Sequence, residues 1–183
     1  MKKISIVSCC YNEVELIELF EKKIVEKLTE YHDKYDYEII VIDNNSTDGT
    51  QEKLRILAKK NKKLKVIFCT KNFRSERSFK HALSNSTGDC IIHVSTDLEQ
   101  PLSLIDKFIE SWESGSKITF GSKISSDELF ILKFLKKIYY KIVSYISDDI
   151  FPVNTEGMMF DKSVKDTIIE NYDPNPYLRG TVF

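Results

Sequence analysis

Two carboxylates stand close together at the end of an apolar segment. Asp97 and Glu99 follow Cys90–Ser95 (CIIHVS), a segment typical of a buried strand. If the chain stays extended there, both side chains point to the same side. Paired carboxylates suit Mg²⁺ or Mn²⁺, which prefer hard oxygen ligands, and such a cation would neutralise a diphosphate. The alternative interpretation is a polar turn that caps a helix beginning at Pro101.

A second polar segment, Asp43–Thr50 (DNNSTDGT), follows another apolar strand. Its Asx-rich composition predicts a turn that caps the next helix. Asp43 also ends a buried strand, where a carboxylate is well suited to accept hydrogen bonds from a base or a ribose. The segment has a single glycine and no GxxxxGK pattern. It is therefore not a phosphate-binding loop of that type.

Basic side chains follow the third apolar strand. Lys71, Arg74 and Arg77 are spaced to contact phosphates, which arginine binds through a bidentate fork. The alternative is a solvated basic face of a helix.

Apolar segments alternate with amphipathic ones along the chain, which predicts strands separated by helices. Asn12 and Glu15 predict the start of the first helix, and Pro101 predicts the first residue of the fourth. This order predicts a single α/β domain with a mostly parallel sheet and helices on both faces. Ligands of such sheets bind at the carboxyl ends of the strands, where the polar groups above lie. The predicted strands are Ile4–Cys10, Glu38–Asp43, Leu64–Cys69, Cys90–Ser95 and Lys117–Gly121, and the later helices are Gln51–Lys60, Ser75–Ser84 and Pro101–Trp112.

Composition excludes several classes of protein. Hydrophobic residues make up 42% of the 183 residues and charged residues 30%, a balance typical of a folded domain. The net charge of −1 gives no general electrostatic case for binding nucleic acid. We find no signal peptide and no apolar run near the ~20 residues of a membrane span. The four cysteines form no CxxC pair, and we expect reduced, mostly buried thiols in a cytoplasmic protein.

Four blocks in series resemble family 2 glycosyltransferases of GT-A fold. The resemblance is to the branch with dolichyl-phosphate mannose synthases and bacterial polyprenyl-phosphate glycosyltransferases. Each block alone is weak evidence, but four in the right order are specific. The blocks are Ser8–Glu13, Val41–Thr50, Asn72–Asp89 and Ser95–Pro101, and Tyr177–Gly180 is similar to a later L-R-G of that branch.

The resemblance implies an inverting hexosyltransferase. Residues 1–183 would form its catalytic domain. Other members continue into membrane helices, so this sequence is either truncated at the C-terminus or belongs to a member that acts without membrane spans. The donor would be a UDP- or GDP-sugar, and the acceptor a polyprenyl phosphate or a saccharide. The implied donor-binding residues are Tyr11, Glu13, Asp43 and Asp48, joined by Lys71, Arg74 and Arg77, and the implied catalytic residues are Asp97 and Arg179.

The acceptor decides whether a catalytic base is needed. A lipid phosphate is already anionic and needs none, whereas a sugar hydroxyl needs a carboxylate. Glu156 is the candidate for that base, and its alternative interpretation is an ordinary loop residue.

The chain departs from the family pattern at several positions. Cys10 replaces a proline, Arg74 stands where glycine is common, and Glu99 replaces a glutamine. Ser95 replaces the first aspartate of the Asp-x-Asp metal motif, in which Asp97 is the second. Because Glu99 restores the lost charge two residues on, we favour a shifted metal site formed by Asp97 and Glu99. The alternative is a degenerate domain that holds a nucleotide or a partner without turnover.

One further segment bears on membranes. Glu128–Ile146 predicts a basic amphipathic helix with an apolar stripe and four lysines mostly on the other side. The stripe either packs on the domain or lies on an anionic bilayer, where a lipid-phosphate acceptor would be found. The second interpretation predicts peripheral contact at the inner face of the membrane.

Overall fold

The structure is a computed structural model, and it describes residues 1–122 and 155–170. The predicted amphipathic helix at 128–146 and Arg179 lie outside these residues. The described elements alternate as predicted. The strands are β1 (Lys2–Cys10), β2 (Tyr35–Asp43), β3 (Leu64–Phe68), β4 (Cys90–His93), β5 (Ile118–Ser122) and β6 (Thr155–Asp161). The helices are α1 (Ile17–Thr29), α2 (Thr50–Lys60), α3 (Arg74–Ser84), α4 (Ser103–Glu113) and α5 (Lys162–Glu170).

The strands form one six-stranded sheet in the order β3-β2-β1-β4-β6-β5. β1 pairs in parallel with β2 and β4, and β2 pairs in parallel with β3. β6 runs antiparallel between β4 and β5. The prediction of a mostly parallel α/β sheet is confirmed, although β6 and α5 were not predicted.

Helices cover both faces of the sheet because the central strands are apolar on both sides. On one face, Ile6 and Val41 pack with Phe20 of α1 and Phe108 of α4. On the other face, Ile40 and Ile91 pack with α3 and α5. Four apolar side chains of α1, spaced from Ile17 to Leu28, are buried. Within the described residues, no helix has the length and apolar character needed to cross a bilayer.

Two predicted helix starts were wrong. Asn12 does not cap α1, which begins at Ile17, because Asn12 has φ +56° and its side chain accepts a hydrogen bond from the Thr47 N–H. Pro101 is not the first residue of α4, which begins at Ser103, because Pro101 and Leu102 form the turn before it. In both places the loop is longer than local sequence signals indicated.

Candidate functional site

The parallel half of the sheet contains a switch in chain direction at β1. The chain moves from β1 outward to β2 and β3, then returns to the other side of β1 with β4. The connections after β1 and β4 therefore leave in opposite directions and open a crevice between the two strand ends. The loops that begin after Cys10 and His93 border this crevice. The strand-end rule places a ligand there.

The loops after β1 and β2 are tied together by reciprocal hydrogen bonds. Asn12 donates its backbone N–H to Ser46 Oγ at 2.8 Å, and its side-chain oxygen accepts from Thr47 N–H at 2.8 Å. The Glu13 N–H donates to Thr50 Oγ1 at 2.9 Å. These bonds fix the backbone of both loops without a ligand.

Asp48 strengthens the same connection. It accepts hydrogen bonds from the N–H groups of Val14 and Thr50, at 3.1 and 3.0 Å, and from Thr50 Oγ1 at 2.6 Å. Partial desolvation works to raise the pKa of Asp48, but the bonds from Thr50 and Val14 outweigh it and lower that pKa. Asp48 therefore stays ionised and holds the two loops together.

Asp43 lies at the carboxyl end of β2, on the same edge of the sheet as Asp97, as predicted. Its side chain is fully buried. The carboxylate accepts from the Ser46 N–H at 3.1 Å and from Gln51 Nε2 at 2.6 Å. Asp43 thus accepts hydrogen bonds within the turn that precedes α2, as the Asx-rich composition predicted. Its contact with a nucleoside stays a prediction.

Asn44 joins the loop after β2 to the loop after β3. Its buried side chain accepts from the Phe73 N–H at 2.9 Å and from Ser78 Oγ at 3.0 Å. It also donates to Asn72 Oδ1 at 2.9 Å, and that oxygen accepts the Arg74 N–H. Sequence reasoning missed this role, although Asn44 lies inside a recognised block and is one of few buried polar residues.

Each of the four loops at this edge contains a non-glycine residue with positive φ. They are the only such residues within 1–122 and 155–170. Left-handed backbone costs a non-glycine residue roughly 1 kcal/mol, and such residues tend to cluster at functional sites. These residues are Asn12 (φ +56°), Asn45 (+66°), Arg74 (+67°) and Leu98 (+57°).

The loop after β4 turns instead of continuing the strand. Leu98 has positive φ, and the Glu99 N–H donates to Asp97 Oδ1 at 3.1 Å. The premise that an extended chain points Asp97 and Glu99 to one side was therefore wrong, because an Asx-type turn intervenes. Both carboxylates are exposed at the crevice edge. Their joint binding of a cation remains a prediction.

Glu13 lies across the crevice from the β4 loop. Burial raises the pKa of Glu13 above its usual value, and the negative charges of Asp97 and Asp48 raise it further. These carboxylates are therefore close enough to repel one another. Within the two described ranges, no three His, Cys, Asp or Glu side chains already converge as a metal-binding group. A cation at this edge would draw on Asp97 with Glu99 and on backbone or ligand oxygens.

The basic residues lie after β3. Lys71, Arg74 and Arg77 are all exposed, and the Lys71 ammonium stands 5.1 Å from the centre of the Phe73 ring. Arg77 borders an open cavity of about 350 Å³ between the end of β3 and α3, together with Phe73 and His81. The three cations thus form a basic margin on the β3 side of the site.

Glu156 lies in β6, and the register explains its position. Met158 pairs with His93, so the antiparallel strand carries the backbone of Thr155 and Glu156 past the carboxyl end of β4. The backbone of Glu156 is therefore at the same edge as Asp97, while its side chain is outside the described part. The functional roles predicted for Glu156 and for Arg179 remain predictions.

The cysteines are free thiols. Cys10 and Cys90 are buried, and Cys9 and Cys69 are partly exposed. Burial raises the pKa of Cys9 to about 12 and also raises the pKa values of the other thiols. All four are therefore protonated near neutral pH and poor nucleophiles.

Comparisons with known proteins identify the family. The sequence model described as Glycosyl transferase family 2 matches residues 5–164. An uncharacterised glycosyltransferase of Synechocystis sp. is 26% identical over 180 residues, which cover 97% of this chain and 56% of that protein. The bactoprenol glucosyl transferase of Shigella phage SfX is 31% identical over 121 residues, or 66% of this chain and 39% of that protein. The chain thus spans about half the length of the curated relatives it matches.

A solved structure shares the fold. It is a mannosyltransferase from Pyrobaculum calidifontis in complex with GDP-Man and Mn²⁺. The TM-score is 0.64 at 19% identity, over 91% of this chain and 46% of that one. At this identity the likeness shows the GT-A fold alone.

Proposed function

Since the chain belongs to glycosyl transferase family 2, we propose that it transfers a hexose from a UDP- or GDP-sugar to a polyprenyl phosphate. The transfer would invert the anomeric centre. Relatives named bactoprenol glucosyl transferase support the lipid-phosphate acceptor over a saccharide. Because the chain spans about half of those relatives, the activity of the whole protein is part of the proposal.

The observation that carries the proposal is the crevice at the β1–β4 switch. Tyr11 is 48% exposed on the β1 side, an unusual exposure for an aromatic ring, and its ring would pack against the nucleoside. Glu13 follows it, and Asp97 lies across the crevice. The prearranged loops after β1 and β2 reduce the entropy lost when a donor binds.

A divalent cation fits the acidic side of this crevice. Asp97 and Glu99 would hold Mg²⁺ or Mn²⁺, since both offer exposed carboxylate oxygens. The cation would stabilise the leaving diphosphate as a Lewis acid. Ser95 offers the cation a neutral hydroxyl where an aspartate would offer a negative charge. We therefore infer a site that binds its cation mainly when the donor's phosphates are present.

The basic margin completes the charge balance. Lys71, Arg74 and Arg77 would contact donor phosphates or the anionic acceptor, and Arg179 would add a further positive charge. With a phosphate acceptor, the attacking oxygen is already ionised, so the protein's contribution is positioning. With a saccharide acceptor, Glu156 would serve as the base. The reaction would take place at the inner face of the membrane, where the cytoplasmic donor meets the lipid.

Calorimetric titration with UDP and GDP, each with and without Mn²⁺, tests donor binding. We expect one of the nucleotides to bind, and Mn²⁺ to tighten its binding. Asp97→Ala should abolish the Mn²⁺ effect, and Glu99→Gln should weaken it. Asp33→Ala is the matched control, because this exposed aspartate lies in the α1–β2 connection at the opposite edge.

The results separate the alternatives. An unchanged Mn²⁺ effect in both site variants would leave the β4 loop as a capping turn only. Nucleotide binding without any sugar transfer would favour the degenerate binding domain. No binding of either nucleotide would contradict the proposed function.

A further inference from the structure

The carboxylate of Asp43 is closed to any ligand in this structure. Its relative exposure is 0%, although it lies at the ligand-binding edge of the sheet. The Ser46 N–H contacts both of its oxygens, at 3.3 and 3.1 Å. Gln51 Nε2 donates to Oδ2 at 2.6 Å. Cys10 Sγ, on the buried strand β1, lies 3.9 Å from Oδ1. A nucleoside can reach this carboxylate only if a neighbouring group moves.

Gln51 is the donor that is able to move. The Ser46 N–H belongs to a backbone fixed by the bond from Asn12 to Ser46 Oγ. The Gln51 amide, by contrast, stands at the end of a flexible side chain in the first turn of α2, and it is half-buried. Within the described residues, the Oε1 atom of the same amide accepts one hydrogen bond, a long one of 3.5 Å from Arg55 Nη2. Rotation of one side chain would therefore open Asp43 without disturbing the loop.

The Gln51 amide also has the chemistry of the group that would replace it. A carboxamide N–H and the ring N–H of uracil or guanine are both neutral donors to a carboxylate. Exchange of one for the other keeps the buried charge of Asp43 satisfied throughout, which avoids the penalty of an unpaired buried carboxylate.

We propose that Gln51 is a positioning residue that covers Asp43 in the free protein and is displaced by the donor nucleoside. The proposal rests on the proposed function together with the predicted contact between Asp43 and that nucleoside. Gln51 competes with the ligand for the same acceptor oxygen, so it lowers nucleotide affinity. It also keeps the buried Asp43 carboxylate hydrogen-bonded when no nucleotide is bound.

Removal of the competing donor should strengthen binding. Gln51→Ala should lower the Kd for UDP or GDP about 10-fold, the lower end of what a hydrogen bond to a charged group is worth. Gln51→Asn should act in the same direction, because the shorter amide does not reach Asp43. Glu52→Ala is the matched control, since Glu52 is the exposed neighbour in the same turn. Calorimetry with UDP and with GDP in the presence of Mn²⁺ gives the Kd values of the native chain and of the three variants.

A double variant tests whether Gln51 acts through Asp43. In an Asp43→Asn background, which keeps the shape of the side chain, Gln51→Ala should no longer strengthen binding. A purely structural role of Gln51 would weaken binding or leave it unchanged, and would not depend on residue 43. If the native chain binds nucleotide and Gln51→Ala binds equally or less tightly, the proposal is overturned while the proposed function stands. If neither native chain nor variants bind UDP or GDP, both are overturned.

Discussion

At the residue scale, the acidic side chains of the carboxyl edge differ in what they already bond. Asp43 and Asp48 accept hydrogen bonds from the loops around them and stabilise those loops. Glu13 and Asp97 instead lie on opposite sides of the crevice, and burial raises the pKa of Glu13 while repulsion by the negative charge of Asp97 raises it further. A cation would remove that repulsion. We therefore expect Asp97 to bind a cation and Glu13 to respond to it, whereas the hydrogen bonds of Asp43 and Asp48 hold the loops in the free protein.

The pKa of Glu13 should report cation binding. Because burial, Asp97 and Asp48 raise this pKa, a divalent cation held by Asp97 should lower it and release protons from Glu13. Carboxyl ¹³C NMR titration with Mg²⁺ measures the change. In Asp97→Ala the pKa should fall without Mg²⁺ and respond little to it. An unchanged Glu13 titration in saturating Mg²⁺ would place the cation elsewhere.

The same shift has a consequence for stability. A carboxyl pKa that is higher in the folded than in the unfolded state adds stability at low pH, and that stability is lost as pH rises through the folded value. Glutamine does not ionise, so Glu13→Gln avoids the cost of a charged Glu13 at neutral pH. The free energy of unfolding of this variant at neutral pH should equal that of the native chain or slightly exceed it.

At the element scale, sequence patterns predict an element well when its own residues decide it. The apolar strands β1 and β2 are such cases, and the predicted ends of both, Cys10 and Asp43, were correct. β6 was missed because its pairing with β4 and β5 depends on distant partners rather than on its own pattern. The motif blocks located the site's edge, but not the turn at Leu98 or the closure of Asp43, which long-range hydrogen bonds determine.

Substitution of Arg74 tests whether the strained backbone at this residue contributes to nucleotide binding. Arg74→Gly should relieve roughly 1–2 kcal/mol of strain from the left-handed backbone at this residue. It should also cost roughly 0.5–1 kcal/mol of stability, because glycine gives the unfolded chain more conformational freedom. We expect the free energy of unfolding to stay equal or rise by about 1 kcal/mol in urea denaturation, while nucleotide affinity falls with loss of the guanidinium.

Ser75→Gly provides the control in the same turn of α3. It relieves no strain and should lower stability by about 0.5–1 kcal/mol. Equal destabilisation by the two glycine substitutions would show that Arg74 is not strained, and unchanged affinity would remove it from the site.

The opposite edge of the sheet contains a buried polar network with a structural role. Glu38 accepts hydrogen bonds from Ser5 Oγ at 2.7 Å, from the Thr87 N–H at 2.6 Å and from Lys65 Nζ at 2.7 Å. Burial works to raise the pKa of Glu38, but these bonds outweigh it and lower the pKa to about 2. Gly88 closes the network by donating its N–H to Ser5 Oγ. The Gly88-Asp89 part of the third block thus belongs to folding rather than to the site.

Gly88→Ala should therefore damage the fold and spare the site. A Cβ at Gly88 would lie 2.5 Å from Ser5 Oγ and 2.9 Å from the Lys3 carbonyl oxygen, and backbone atoms retreat only at a cost. We expect a loss of about 1–3 kcal/mol in the free energy of unfolding, with nucleotide Kd of the folded protein unchanged. Gly115→Ala separates crowding from strain, since nothing lies within 4 Å of its Cβ position but φ is +98°. Stability unaltered by Gly88→Ala would refute the packing argument.

At the scale of the whole molecule, the structural polar network and the candidate site lie at opposite edges of the sheet. The amino edge holds the Glu38 network, and the carboxyl edge gathers the acidic crevice and the basic margin. Net charge is only −1, so local clusters rather than a global field would attract an anionic donor or lipid. A lipid acceptor further requires that the site approach a bilayer.

Residues 128–146, which lie outside the described part, supply a membrane prediction. Each of their lysines should contribute ~1 kcal/mol to the free energy of binding to anionic vesicles. High salt should release the chain, because it screens the attraction between the lysines and the lipid head groups. Sedimentation with phosphatidylserine-containing vesicles measures this, with phosphatidylcholine vesicles as the control. Glutamine at these lysines should abolish binding. Absence of sedimentation at low salt would leave the apolar stripe as a packing surface. The lysines are Lys133, Lys136, Lys137 and Lys141.

Sugar transfer to a polyprenyl phosphate is the most direct test of the central claim. The chain is incubated with labelled UDP-glucose or GDP-mannose, a short polyprenyl phosphate and Mn²⁺, and the lipid product is quantified and its anomeric configuration read by NMR. We predict a glycosyl phospholipid of inverted configuration, formed only with a divalent cation and reduced at least 100-fold by Asp97→Ala, an order-of-magnitude expectation for loss of electrostatic stabilisation. A chain that binds nucleotide with Mn²⁺ but transfers no sugar, or whose Asp97→Ala variant transfers it equally well, would contradict the account.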